Sequence, residues 1–263
     1  MNSLINENDI RDAFLACGVN QGDSLMLHSD AIFLAQLKSM TKTEKFEMFF
    51  DLMKSILGDN GTLIIPTFSY SPMNNEVFDN NKTQSRVGSI SEFFRGLPDV
   101  KRSYDPIFSV SVRGKLVKEF MSAKIEDSFG KNSVFSLLEK NDCKIACLGC
   151  SMDRITFTHY VEQSFGVKYR YFKNFDAEII DYDKCVKKKI RIRYYVRDLK
   201  RDSSFNSKRL VEELQRKKMI TSSQIGRIKL ISVKAKEYAD TAKDLLRLDP
   251  NVLINEGAIN DKK

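Results

Sequence analysis

The chain is short of cysteine, of histidine and of long apolar runs. Among its 263 residues there are 5 cysteines and 2 histidines. Five sparse cysteines do not make a secreted disulfide framework. No apolar run approaches the ~18 residues that a membrane span needs. Residues Met1 to Asp9 lack the basic start and apolar centre of a signal peptide. A cytoplasmic location with no membrane partner is therefore the expectation. No GxGxxG, P-loop or GxSxG motif is present, which removes the plainest routes to dinucleotide, nucleoside-triphosphate and serine-hydrolase chemistry.

What remains is ordinary globular composition, 42% hydrophobic and 30% charged. A chain of this length loses roughly 70–75% of its unfolded surface on folding. Residues 1–263 are read as one domain. The net charge of +8 is concentrated. Between Lys184 and Arg201 there are nine basic residues (Lys184, Lys187, Lys188, Lys189, Arg191, Arg193, Arg197, Lys200, Arg201) and one acid, Asp198. That segment alone carries +8, so the remainder sums to zero.

Ile10, Ala13, Phe14 and Cys17 have helical spacing, with Gly18 as the stop. Leu25–Leu27 is a short apolar run ending at His28-Ser29. Thr43 is placed to cap a helix carrying Phe46, Phe49 or Phe50, Met53 and Leu57, stopped by Gly58. Thr62–Ile65 reads as a buried strand before Pro66, and Ser69–Thr83 as a long functional loop. Ser89 and Glu92 have capping-box spacing. Ile107–Val112 reads as a strand, Ser133 as the cap of Val134–Leu138, Lys144–Leu148 as a strand, and Thr156–Phe165 as a helix. This alternation points to an α/β layer fold. Phe175–Tyr182 and Val186–Val196 form a hairpin, the basic subregion 173–200, with Arg191, Arg193, Tyr195 and Arg197 on one face. A helix near 207–217, a strand near 227–233 and a helix near 234–246 complete the reading.

His28 and His159 are each expected near the C-terminal end of a buried strand, where open α/β sheets bind ligands. Glu162 stands three residues beyond His159, on the same helical face. A carboxylate beside an imidazole favours its protonated form, which suits a general base. Asp153 is placed either to cap the helix or to orient that histidine. Cys147-Leu-Gly-Cys150 has CxxC spacing, but no second ligand pair for zinc exists, so no metal site is expected.

Six ordered blocks then resemble the aminoglycoside 3-N-acetyltransferase family. They are Gly22–Ser29, Gly61–Tyr70, Ser85–Gly88, Arg102–Val110, Ser128–Ser133 with Phe129 and Gly130, and Leu148–Glu162 with Asp153, Arg154, Thr156 and His159. The resemblance covers residues 9–170. It implies a central sheet with helices on both faces plus a smaller antiparallel β portion. It also implies an acyl-CoA-dependent N-acetyltransferase with acetyl-CoA or another acyl-CoA as co-substrate. By the same resemblance His159 and Glu162 are catalytic, and Asp153 is counted with them as the group placed to orient the histidine. His28, Ser29, Ser85, Arg86, Val87, Gly88, Ser109 and Val110 line the coenzyme cleft, and Tyr70 meets the acceptor. The chain departs from the family at Asp105 and Phe108, where many members carry histidines, and at Ile155, where asparagine is common.

The departures and the basic hairpin turn the expected acceptor away from polycationic antibiotics. The expectation is an amino sugar carried on a nucleotide diphosphate, used in surface-polysaccharide synthesis, with Arg191, Arg193 and Arg197 gripping phosphates. An aminoglycoside is the alternative acceptor. A reading from another class is RNA binding through the Arg row interleaved with Tyr194 and Tyr195, a minority view because the rest of the chain is neutral. A homodimer is left open.

Overall fold

The computed structural model describes residues 5–37, 40–181 and 186–255. The N-terminal half supplies helix α1 (Glu7–Ala16), strand β1 (Ser24–Ser29), helix α2 (Lys42–Leu57), strand β2 (Thr62–Pro66), the short strand β3 (Phe78–Asp79) and helix α3 (Ser89–Arg95). Next come β4 (Lys101–Arg102), β5 (Val110–Gly114), α4 (Val117–Met121), α5 (Val134–Lys140), β6 (Lys144–Leu148) and α6 (Phe157–Phe165). The chain ends in β7 (Arg170–Asp181), β8 (Val186–Arg197), α7 (Lys208–Arg216), β9 (Thr221–Ile225), β10 (Ile228–Lys234) and α8 (Ala235–Leu248).

Seven strands form one sheet in the order β4-β5-β2-β1-β6-β10-β9, and three form a second, β3-β7-β8. β1 runs parallel to both β2 and β6, so their C-terminal ends open on one edge. The expected α/β class is the one observed.

Strand periodicity divides the core in two. Leu25, Leu27, Leu63, Ile65, Ala146 and Leu148 pack with Phe14, Phe49 and Phe50 of α1 and α2. Met26, Ile64, Ile145 and Cys147 pack on the opposite face with Phe135, Phe157 and Tyr238 of α5, α6 and α8. Alternate side chains of a strand point to opposite faces, so a strand buried on both reads as an unbroken apolar run.

Local signals were partly misplaced. Thr41, not Thr43, caps α2: its hydroxyl accepts the Glu44 N–H at 3.3 Å, and Glu44 accepts the Thr41 N–H at 2.6 Å, a full capping box. Ser89 lies inside α3, whose cap is Gly88, and Glu92 instead accepts the Ser85 N–H at 2.7 Å. Ile107 and Phe108 precede their strand, because the Asp105 carboxylate accepts both their N–H groups and folds them into a turn. β9 was missed: Thr-Ser-Ser-Gln-Ile is polar because it sits at the sheet edge, paired with β10 alone. Lys184 and Tyr182, both part of the expected hairpin, lie outside the described residues. Among the described residues no helix is long and apolar enough to cross a membrane.

Candidate active site

A cavity of about 570 Å³ lies at the shared C-terminal edge of β1, β2 and β6. Leu27 to Ser29 end β1 in it and Asp30 and Ala31 follow, Pro66 ends β2 with Phe68 and Tyr70 beyond it, and Cys150, Arg154 and Thr156 follow β6. The turn Arg86–Gly88 and the start of α3 close the other side. His28, Ser29, Tyr70, Arg86, Val87 and Gly88 are thus brought together around one cleft. Tyr70 is held in the left-handed region (φ 55°), which costs a non-glycine residue free energy and is characteristic of ligand-handling loops.

His28 is 7% exposed, and its Nε2 is buried with no hydrogen-bond partner. Burial alone pulls its imidazole down to about 4. A neutral ring with an unused nitrogen at a cleft wall is equipped to bond a bound amide or carbonyl.

Ser109 and Val110 do not reach the cleft. Ser109 is fully buried; its hydroxyl donates to the Thr67 carbonyl at 2.8 Å and accepts from Arg102 Nε at 3.0 Å. The Val110 N–H donates to Ser103 Oγ. Ser85 accepts weakly from the Val87 N–H and shapes the turn from beneath.

On α6, His159 Nδ1 lies 2.9 Å from Glu162 Oε2, the i,i+3 contact that the spacing dictates. Arg170 Nη2 lies equally close to the same nitrogen. A carboxylate cannot donate and a guanidinium cannot accept, so Nδ1 bonds one of them at a time. We assign the proton to Nδ1, donated to Glu162, which leaves the Nε2 lone pair free. Arg170 then keeps its ionic contact with Glu162, Nε to Oε2 at 2.8 Å. The other Glu162 oxygen accepts the Tyr169 hydroxyl at 2.9 Å.

Glu162 and Arg170 side chains are 0% and 1% exposed, whereas His159 keeps 23%. Burial by itself would raise the Glu162 carboxyl, but His159, Arg170 and Tyr169 hold it below its ordinary value. Burial and the Arg170 charge push the His159 imidazole down against the pull of Glu162. The outcome is a neutral base on a fixed anion. Tyr169 and Arg170 were absent from the sequence reading. They follow α6 across a glycine turn, and no spacing rule ties them to Glu162.

His159 stands one turn beyond Thr156, the last cleft-lining residue of this segment. The edge of its ring meets Phe129 at 5.5 Å between centroids, and Phe129 also meets Tyr194 at 5.7 Å. The Arg170 charge bears on Tyr194, and Tyr194 stands close enough to Tyr70, on the cleft wall, to add to the burial that raises that phenol. Asp153 does not orient His159: its oxygens accept the Ser207 N–H at 2.8 Å and the Ser151 hydroxyl at 2.7 Å, bracing the start of α7.

The arginines assigned to phosphates are occupied. Arg191 pairs with Asp176 at 2.8 Å and Arg193 with Asp127 at 2.5 Å, while Lys187 pairs with Glu178 at 2.6 Å. Arg197 donates to Ser204 Oγ. A second cavity beside the hairpin, about 720 Å³, carries Glu76, Asp176 and Glu178 against Lys189 and Arg191. Acids outside the basic segment thus pair with Lys187, Lys189, Arg191 and Arg193. Tyr195 is 7% exposed, its hydroxyl bonded to the Val167 carbonyl, and Tyr194 packs among Phe108, Phe129 and Phe175. Neither ring offers a stacking platform for RNA bases. Among the described residues no cluster able to hold a metal ion occurs.

Known structures share this fold. The family model described as aminoglycoside 3-N-acetyltransferase matches residues 26–247. Aminoglycoside N(3)-acetyltransferase IV from Salmonella is 27% identical over 159 residues, 59% of this chain, and the chain spans 58% of that relative's length. The structure of AAC-IIIb in binary complex with CoASH superposes with a TM-score of 0.79 at 17% identity, covering 94% of this chain and 97% of the other. A mutant of aminoglycoside acetyltransferase AAC(3)-IVa in complex with apramycin gives 0.75 at 21% identity, over 95% of each chain. At such identities the superpositions speak for the fold, while the family match spans most of the chain: it belongs to the aminoglycoside 3-N-acetyltransferase family.

Proposed function

We propose that the protein is an acyl-CoA-dependent N-acetyltransferase whose acceptor is an aminoglycoside amine. The observation that carries this reading is the His159–Glu162 pair, a neutral imidazole on a buried carboxylate, one helical turn beyond Thr156 of the cleft lining. The cleft fits the coenzyme's chemistry. The orphan His28 Nε2, the Ser29 hydroxyl and the backbone of Arg86–Gly88 suit pantetheine amides and a thioester oxygen.

The bound co-substrate supplies an activated acyl carbon. His159 Nε2 takes the proton from the acceptor amine as that nitrogen attacks. Glu162 stabilises the imidazolium that forms, and Arg170 and Tyr169 keep the carboxylate ionised and fixed in orientation. Phe129 holds the ring from its side.

The nucleotide-sugar acceptor has less support than the aminoglycoside. Its phosphates would have to displace Asp176 and Asp127 from Arg191 and Arg193, and the family match favours the antibiotic. Acetyl-CoA with single aminoglycosides or nucleotide amino sugars, followed by free-thiol release and acceptor mass, tests the reading. Thiol release with a gain of one acetyl group on an aminoglycoside is expected. Turnover confined to nucleotide amino sugars would overturn the acceptor, and thiol release with neither class would overturn the activity.

A further inference from the structure

Cys147 and Cys150 take no part in the proton transfer, yet Cys150 lines the cleft read above as the coenzyme's, three residues beyond Cys147. β6 ends at Leu148, and Gly149 adopts φ +71° while its N–H donates to the Lys229 carbonyl. A side chain at Gly149 would meet Ile228 Cγ2 at 3.1 Å, in a conformation L-residues rarely take. This left-handed turn returns Cys150 towards Cys147, and the two thiols are close enough for each to shift the other's titration. Cys147 is buried at 1% exposure. Cys150 is half-buried and lines the cleft with His28, Ser29 and Arg154. Both are free thiols.

We propose that Cys150 is a site of covalent modification by the disulfide of coenzyme A, with Cys147 as the resolving thiol. The inference rests on the coenzyme reading of the cleft. The Cys150 thiolate attacks one sulfur of the coenzyme disulfide, a new S–S bond forms, and one coenzyme leaves as its thiolate. The Cys147 thiolate then attacks the Cys150 sulfur, closes the Cys147–Cys150 disulfide and expels the second coenzyme thiolate. Two protein thiols are oxidised, one disulfide is reduced to two coenzyme thiols, and the two cysteine protons end on those thiols. The division of roles follows the surroundings. Cys150 lines the cleft while Cys147 is buried away from it; the Cys147 thiol and the nearby Arg154 charge, against burial, hold Cys150 below its ordinary value, and Cys150 and burial push Cys147 well above its own. Resolution is therefore the slow step, and the mixed disulfide keeps a coenzyme in the cleft against acetyl-CoA.

The test incubates the intact protein with coenzyme A disulfide or glutathione disulfide and follows mass, peptide map and acetyl-CoA turnover. A coenzyme adduct or a loss of two hydrogens is expected at Cys150 and Cys147. It should form about tenfold or more faster than with glutathione disulfide, the preference a modest recognition contact supplies. Turnover should be lost in parallel, be restored by dithiothreitol and be protected by acetyl-CoA. Cys147→Ser should trap the mixed disulfide, and whatever turnover Cys150→Ser retains should be insensitive to coenzyme A disulfide. Equal rates with both disulfides, adducts on other cysteines alone, or inactivation persisting in Cys150→Ser would overturn the proposal. If turnover is intact and no adduct forms, this inference fails alone; if there is neither turnover nor acetyl-CoA binding, the coenzyme reading fails beneath it.

Discussion

The His159–Glu162–Arg170 cluster and the β7–β8 hairpin are both built of opposite charges in contact, yet only in the hairpin are the paired carboxylates and guanidinium groups open to water. Glu162 and Arg170 are essentially inaccessible, and Arg191 and Asp176 are 69% and 75% exposed. In the first case each group depends on its partners, because an unpaired buried charge is strongly unfavourable. In the second, solvent and salt do most of the work and the pair adds little. A count of charges along the chain points to the hairpin, whereas the chemistry gathers where charge has been taken out of water.

The largest effect should come from the group that handles the proton. His159→Ala should lower kcat by about 10²–10⁴-fold while coenzyme affinity, read by calorimetry, stays nearly unchanged; equal loss of both would make the histidine structural. Next is the buried anion. Glu162→Ala leaves Arg170 without its charge partner and should cost about 3–5 kcal/mol of stability in denaturant unfolding, together with most turnover. A loss no greater than that of a surface substitution would refute the contrast between the two regions.

A smaller effect should appear in stability against pH. His28 titrates near 4 folded and near its ordinary 6.5 unfolded, so the unfolded chain binds more protons between these values. Its contribution is complete above about pH 6.5 and is lost as pH falls toward 4. His28→Gln should flatten that decline in unfolding midpoints, and an unchanged slope would show that the ring is not buried neutral. The smallest effect belongs to the hairpin: Asp176→Asn should leave kcat/KM within about twofold and the melting temperature unmoved. A large loss of activity there would return the hairpin to the acceptor site.

Much of this was legible in the chain because the signals are local. Apolar runs at 25–27, 62–65 and 144–148 marked the three parallel strands, and the i,i+3 step from His159 to Glu162 placed the pair on one face. Partners brought together by the fold were not legible. Asp127 reaches Arg193 from 66 residues away, so the basic segment looked unmatched. Tyr169 and Arg170 enter the site through the fold of the β7 strand start, not through any motif. Ser109 matched a family block, but a block does not reveal which way a hydroxyl turns, and this one turns inward to Thr67.

With 2 histidines in the chain, each imidazole can be followed separately by NMR, His28→Gln and His159→Gln supplying the assignments. Measured beside the pH dependence of kcat/KM, this titration addresses the proposed base directly. The account predicts that His159 loses its proton below the ordinary 6.5, that the acid limb of the rate profile coincides with it, and that the limb vanishes in His159→Gln. An acid limb that survives in His159→Gln at undiminished rate, or a His159 titration far from the limb, would contradict it.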